Sequence, residues 1–165
     1  AIHHTPDPEK TFRSLVSQLK QGGTIAITAY TKKSPMREAI DDALREKVVP
    51  LSNDDAFAVA NQFTALGRDL QNADGIIEIA QDMPFLGIKA GTYKVQEFVY
   101  KYFMKCWHNP AFSEEHCDVV NFDWYHPPYA YRYEMSELEQ WAADSGLTVT
   151  KRASIDAQNY MEAVL

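Results

Sequence analysis

The chain has 165 residues, enough for one domain with a sizeable core, and a formal charge of -7 with its basic residues scattered. That balance argues against nucleic acid or an anionic membrane as the main partner, since phosphate groups demand concentrated Lys and Arg. No apolar run approaches the ~20 residues of a membrane span, no signal peptide opens the sequence, and only Cys106 and Cys117 are present, which suits a reduced, cytoplasmic setting better than a disulfide scaffold.

In chain order, Asp7-Pro8-Glu9 predicts a helix start: a side-chain acceptor for free amides, a proline preset for the first turn and a carboxylate at the positive end of the dipole. Phe12, Leu15, Val16 and Leu19 then form an apolar stripe, and Gly22-Gly23 stops the helix. Thr24-Ile-Ala-Ile-Thr-Ala-Tyr30 reads as an interior strand of a parallel sheet, covered on both faces. Pro35 opens a surface helix with Met36, Ala39, Ile40, Ala43 and Leu44 inward and Glu38, Asp41, Asp42 and Arg45 mostly outward.

A second helix, capped by Asn53 or Asp54, buries Phe57, Ala60, Phe63, Leu66 and Leu70. A short third runs from about Gly75 to Asp82, and a fourth from about Lys94 to Trp107 buries Val95, Phe98, Val99, Tyr102, Phe103 and Cys106. Residues 121–133, Asn-Phe-Asp-Trp-Tyr-His-Pro-Pro-Tyr-Ala-Tyr-Arg-Tyr, fit neither period, and Pro127-Pro128 breaks both ladders, so an ordered aromatic loop is expected. Aromatic walls with a few polar tips suit an organic ligand. Ser136 and Glu139 predict a capping box for a last helix with Leu138, Trp141 and Ala142 inside and Gly146 at its end, and strands are expected over Leu147–Ala153 and Gln158–Leu165.

Two of these stretches carry a family resemblance. Ile2-His-His-Thr-Pro-Asp-Pro-Glu-Lys10, a short helix, then Leu19-Lys-Gln-Gly-Gly-Thr-Ile-Ala-Ile27 resembles the segment after the fourth strand of class I S-adenosylmethionine-dependent methyltransferases, where V-L-H-H-x-x-D-P leads through a helix to L-K-P-G-G and the fifth strand. Gln21 stands where that pattern has proline. The aromatic segment is similar to the D-x-Y-x-P element that precedes the final helix in a subset of the family.

The resemblance implies an α/β fold: part of a Rossmann-like methyltransferase sheet, mixed, with the last strand antiparallel between its neighbours, and a large helical insertion. Residues 1–34 and 134–165 would be the C-terminal half of the Rossmann-like domain, and 35–133 the insertion with its aromatic loop, a lid over the acceptor. The family's glycine-rich turn and its acidic strand end cannot be placed in these 165 residues. The expectation is therefore a C-terminal portion that lacks most of its S-adenosylmethionine site, is inactive without the other half, and has an open sheet edge that dimerises or pairs with that half.

In this reading Ile2 and His3 contact the methionine end of the cofactor, and His3 or His4 acts as base beside the transferred methyl, with His126 a second candidate. Imidazole suits that role because it titrates near neutrality. Tyr30, Trp124, Tyr125, Tyr129 and Tyr131 line the pocket of a small organic acceptor. Two readings stand beside it: a non-catalytic ligand-binding remnant, and a helical interaction module held by zinc on Cys106, His108, His116 and Cys117. No metal is expected in the favoured reading, because adjacent His116 and Cys117 suit a tetrahedral site poorly.

Overall fold

A computed structural model describes residues 2–155 and 158–165. The described residues form a short 3-10 turn (Ile2–His4), α1 (Pro8–Val16), β1 (Thr24–Thr31), α2 (Pro35–Val48), α3 (Asn53–Asn72), β2 (Ile76–Ile79), β3 (Gly91–Lys94), α4 (Val95–Tyr102), α5 (Glu114–Tyr125), β4 (Arg132–Tyr133), α6 (Met135–Asp144), β5 (Thr148–Ile155) and β6 (Gln158–Val164). The chain is mixed α/β and divides into two compact units, residues 1–32 with 128–165, and residues 33–127.

The first unit holds a four-stranded mixed sheet in the order β4-β1-β6-β5. β6 runs antiparallel to both neighbours, from Thr24↔Val164 to Tyr30↔Gln158 on one side and from Thr148↔Val164 to Ile155↔Gln158 on the other. β4 pairs parallel with β1, but only at Tyr30↔Arg132 and Thr31↔Tyr133. Along Thr24–Ala29 the outer edge of β1 therefore has no strand partner among the described residues. Gly22, at φ 75°, turns the chain into β1. Its N–H donates to the Leu165 carbonyl at 3.0 Å, and the Leu165 N–H to the Gly23 carbonyl at 3.0 Å, so the end of β6 is bonded to the entry of the central strand.

One face of this sheet is a core. Ile25, Ile27, Ala29, Met161 and Ala163 pack with Phe12 and Val16 of α1 and with Leu138, Trp141 and Ala142 of α6. Thr24, Ala26 and Thr28 are exposed, so β1 alternates instead of being covered on both faces. The periodicity was misread because small threonines and alanine on the open face look apolar in a strand-length window. Asp7 caps α1 as expected, accepting from the Lys10 N–H at 3.0 Å. The helix ends at Val16, however, before the glycines, and Leu15 is 44 % exposed. α6 starts two residues earlier than the Ser136–Glu139 box implies: Glu134 is its cap, and Glu137 Oε2 accepts from the Glu134 N–H at 2.7 Å.

The second unit is helical with a two-stranded antiparallel sheet, β2 with β3. The helix expected over Gly75–Asp82 is strand β2, for Ile76-Ile-Glu-Ile79 is β-branched and alternates. The expected fourth helix begins at Val95 but ends at Tyr102, short of Trp107, with Lys94 in strand β3, and α3 is capped by Ser52, not by Asn53 or Asp54, its hydroxyl accepting from the Asp55 N–H at 3.1 Å. Residues 121–125 of the expected aromatic loop are the last turns of α5.

The largest correction concerns α2. Its buried residues are Arg37, Asp41, Arg45 and Val48, not Met36, Ala39, Ile40, Ala43 and Leu44, and Ala39 and Ala43 are exposed. The helix is rotated so that a ladder of charges at i, i+4 and i+8 faces inward.

Candidate functional site

The first unit gathers six of the sequence-predicted residues at the carboxyl end of β1, the end of a parallel strand where open α/β sheets place their ligands. The 3-10 turn is fixed locally: the Thr5 N–H and hydroxyl both donate to the Ile2 carbonyl, at 3.1 and 2.8 Å, and the Thr11 hydroxyl donates to Thr5 Oγ1 at 3.1 Å. Ile2 enters the core beside Phe12, and His3 is buried. The His3 ring lies 3.8 Å from the Tyr30 ring, and His4 meets Tyr30 edge-on at 5.4 Å. Tyr30 is 3 % exposed, so it is a wall behind the two imidazoles and not an open floor.

Segment 129–131 closes the cluster through its backbone. The Tyr131 N–H donates to the His3 carbonyl at 3.0 Å, and His4 Nδ1 is 2.6 Å from the Tyr129 carbonyl. A carbonyl only accepts, so Nδ1 of His4 carries the proton; in the neutral ring the basic lone pair is then on Nε2. The Tyr129 and Tyr131 rings stack 6.1 Å apart at 9° and are 38 % and 41 % exposed. The result is a half-buried imidazole whose tautomer is set by the Tyr129 carbonyl, on a segment that also carries two exposed, near-parallel tyrosine rings. Tyr133, which the sequence reading passed over, continues the row 6.5 Å from Tyr131. Burial and the neighbouring Tyr131 and Glu137 push its phenol up to about 12, so it stays protonated at neutral pH.

The remaining three predicted residues belong to the second unit and serve its interior. The Trp124 indole N–H donates to Asp41 Oδ2 at 3.0 Å, and the Tyr125 hydroxyl lies 2.8 Å from Asp41 Oδ1 and 2.9 Å from the Lys105 carbonyl. Both side chains are 1 % exposed. Burial, then the adjacent Asp41, raises the Tyr125 phenol far above its ordinary range. His126 caps the end of α5, with Nε2 3.0 Å from Asn53 Oδ1 and Nδ1 3.3 Å from the Val48 carbonyl. Each of its nitrogens faces an oxygen acceptor, an arrangement that ties α5 to the α2–α3 connection.

Asp41 is the centre of this interior. Besides Trp124 and Tyr125 it accepts from Arg37 Nε at 3.1 Å and from the Lys105 backbone N–H at 3.1 Å. Four donors thus occupy its two oxygens, the full capacity of a carboxylate. Asn121 ties the same unit together, accepting from the Trp107 N–H and donating to the Thr64 hydroxyl and the Trp107 carbonyl. The signal that would have exposed this network is the i, i+4 spacing of Arg37, Asp41 and Arg45, which reads equally well as a solvated charge ladder.

The four residues of the zinc reading do not converge. Cys106 and Cys117 are buried free thiols, and burial holds the Cys106 thiol up at about 11; His108 Nδ1 is 2.6 Å from Gln71 Oε1, and His116 stacks on Phe112. Among the described residues no three His, Cys, Asp or Glu side chains are placed to hold a metal ion, and no helix is long and apolar enough to cross a membrane. No family model, curated protein or solved structure matches the chain.

Proposed function

We propose that the chain is the C-terminal part of an S-adenosylmethionine-dependent methyltransferase acting on a small organic acceptor, with the cofactor cradle supplied outside these 165 residues. The observation that supports this most is the strand arrangement: β6 lies antiparallel between β1 and β5, with α6 leading into β5, as the resemblance implies. The His3-His4 turn stands at the carboxyl end of β1, where an α/β sheet binds ligands.

Of a cofactor site the chain offers only a rim. Ile2 and His3 are held by the chain's own core and would meet the methionine end, while the turn and carboxylate that grip the nucleotide have no counterpart here. When bound, the sulfonium supplies an electrophilic methyl group. The chain's share of the chemistry is to orient an acceptor and relieve it of a proton. His4 Nε2 would accept the proton of an oxygen or nitrogen acceptor held beside that methyl group. The proton on Nδ1 stays with the Tyr129 carbonyl. Tyr129 and Tyr131 present flat faces to an organic acceptor, and residues 33–127 are the insertion that the family resemblance assigns to the acceptor side.

Calorimetric titration with S-adenosylhomocysteine tests the reading, on this chain and on a chain extended upstream. The extended chain is expected to bind and this one not. An extended chain that fails to bind overturns the enzyme reading, and ordinary affinity in this chain alone overturns the placing of the cradle. In the extended enzyme, His4→Gln is expected to lower kcat by about 10²- to 10⁴-fold with little change in KM.

A further inference from the structure

The hairpin of β2 and β3 ends in a turn that holds a phenyl ring out in water: Phe85 is 91 % exposed. The backbone beneath that ring is pinned. Met83 and Ile88 exchange N–H to carbonyl bonds at 2.8 and 3.2 Å, the Gly87 N–H donates to the Pro84 carbonyl at 3.2 Å, and Asp82 accepts from the Ala90 N–H and the Lys89 ammonium, both at 2.8 Å. Ile88 is anchored in a small core with Tyr93, Phe98 and Tyr102. A ring carried on a turn already fixed loses little freedom when it docks, which suits an interface anchor.

At the opposite end of the same hairpin, where β2 follows α3, lies a cavity of about 380 Å³. Leu70, Ala73 and Ile76 give it apolar lining, and Asp74, Lys94 and Glu97 line it as well. About 150 Å³ suffices for benzene, so a phenyl ring can be admitted. Ile76 is 68 % exposed, and it shares the exposed side of β2 with Glu78, while Ile77 and Ile79 pack on the core.

We infer that two copies of this chain pair through this hairpin, Phe85 of each entering the cavity beside Ile76 of the other. From base to tip the hairpin carries Ile76, Glu78, Lys89 and Phe85, in the order apolar, negative, positive, apolar. A second copy turned end for end brings Phe85 to Ile76 and Lys89 to Glu78, so a single two-fold axis satisfies both ends. Pairing stops at two, because each tip and each cavity is then used. The two rings bury about 150–250 Å² each, and so small an interface belongs to the weak, concentration-dependent class. The inference goes beyond the methyl-transfer reading and uses none of its residues.

Sedimentation equilibrium of the full 165-residue chain from about 1 μM to about 1 mM tests the pairing. Monomer is expected at the low end, dimer at the high end, and nothing larger. Phe85→Ser at the tip and Ala73→Glu in the cavity wall change exposed residues, so both chains are expected to fold, and each should weaken the dimer at least about tenfold. A handle inserted next to Phe85 is expected to leave the chain folded and to weaken the dimer as Phe85→Ser does. Each variant's own dimer lacks both contacts, whereas a mixed pair keeps one: the Phe85 of the Ala73→Glu chain in the unaltered cavity of the Phe85→Ser chain. An equimolar mixture is therefore expected to dimerise at lower concentration than either variant alone. A chain monomeric throughout, a dimer that Phe85→Ser leaves unchanged, as pairing along the β1 edge would, species larger than a dimer, or a mixture no better than its components would each overturn the inference.

Discussion

Asp41 decides more of this protein than any other side chain. It is 0 % exposed, and its oxygens gather an arginine, an indole, a phenol and a backbone amide from three separate segments. Removing one partner of such a buried pair leaves the other charge uncompensated, a loss on the order of 3–5 kcal/mol. Asp41→Asn keeps the shape and loses the charge. It is expected to lower the unfolding free energy of the full chain, read from urea denaturation, by an amount in that range, and Asp42→Asn, one residue away and exposed, to leave it unchanged within about 0.5 kcal/mol.

Lys105 makes the opposite prediction. Its amine is lowered to about 7 in the folded chain, chiefly by desolvation, whereas the unfolded chain has it near the ordinary lysine value of about 10.4. Between those values the unfolded state holds a proton that the folded state has released, so this residue makes stability rise with pH across that window, and its destabilising effect is complete below it. Lys105→Met is expected to raise the melting temperature at pH 6 and to flatten its rise from pH 7 to 10. A melting temperature as pH-dependent as the parent's would show that the amine does not titrate there.

The residues of the histidine–tyrosine cluster and of the Asp41 network were legible unequally. His3, His4, Tyr30, Tyr129 and Tyr131 lie in stretches whose residue types announce chemistry, and the structure puts them in one cluster. Arg37, Asp41 and Lys105 are charges, and a charge is read as solvated because an unpaired one cannot be buried. The Tyr100 carbonyl that Arg37 meets and the Trp124 indole that Asp41 meets are over sixty residues away, and nothing local predicts them.

At the scale of elements, the start of the first helix was legible where the caps of α3 and α6 and most helix faces were not. Asp7 and Pro8 specify their helix through bonds within one turn, and Asp7→Ala is expected to cost about 1 kcal/mol in chemical denaturation. The faces of α2 and α3 depend on what lies across from them. Leu66, an expected core residue, is 38 % exposed, while Gly67 beside it is buried with the Cys106 carbonyl so near that an added Cβ would come within 2.3 Å. Only glycine permits that approach. Gly67→Ala is expected to destabilise by about 1–3 kcal/mol although alanine is the better helix former, and Ala65→Gly on the same helix by about 1 kcal/mol or less.

Strand β2 was missed for a related reason. Four apolar-rich residues between a glycine and a proline carry too little periodicity to separate a strand from a helical turn; pairing with Gly91–Lys94 decides it. The aromatic run was split for the same cause. Trp124 and Tyr125 have helical neighbours and helical partners, and only the Pro127-Pro128 step ends the helix and frees the tyrosines that follow.

At the scale of the whole molecule, the sheet order follows from the connections: α6 ends in Gly146, β5 and β6 are consecutive and antiparallel, and β6 then closes on β1. The incomplete edge of β1 is the feature an added strand would use. Backbone amides of Thr24–Ala29 that point away from β6 are expected to exchange with solvent far faster than their alternating neighbours, and to become protected in the upstream-extended chain. Equal protection in both chains would mean that nothing encoded upstream docks there.

The bonds between Leu165 and the Gly22-Gly23 turn give Leu165 a mechanical office. It fastens the final strand to the start of the central one, as a hem stitch holds the end of a seam. Cutting the chain before Leu165 takes two backbone bonds from the middle of the sheet, and the seam loosens from there inward. Inserted handles and reporters are therefore better carried on the connection between β2 and β3, whose residue Phe85 is 91 % exposed, than placed within that stitch.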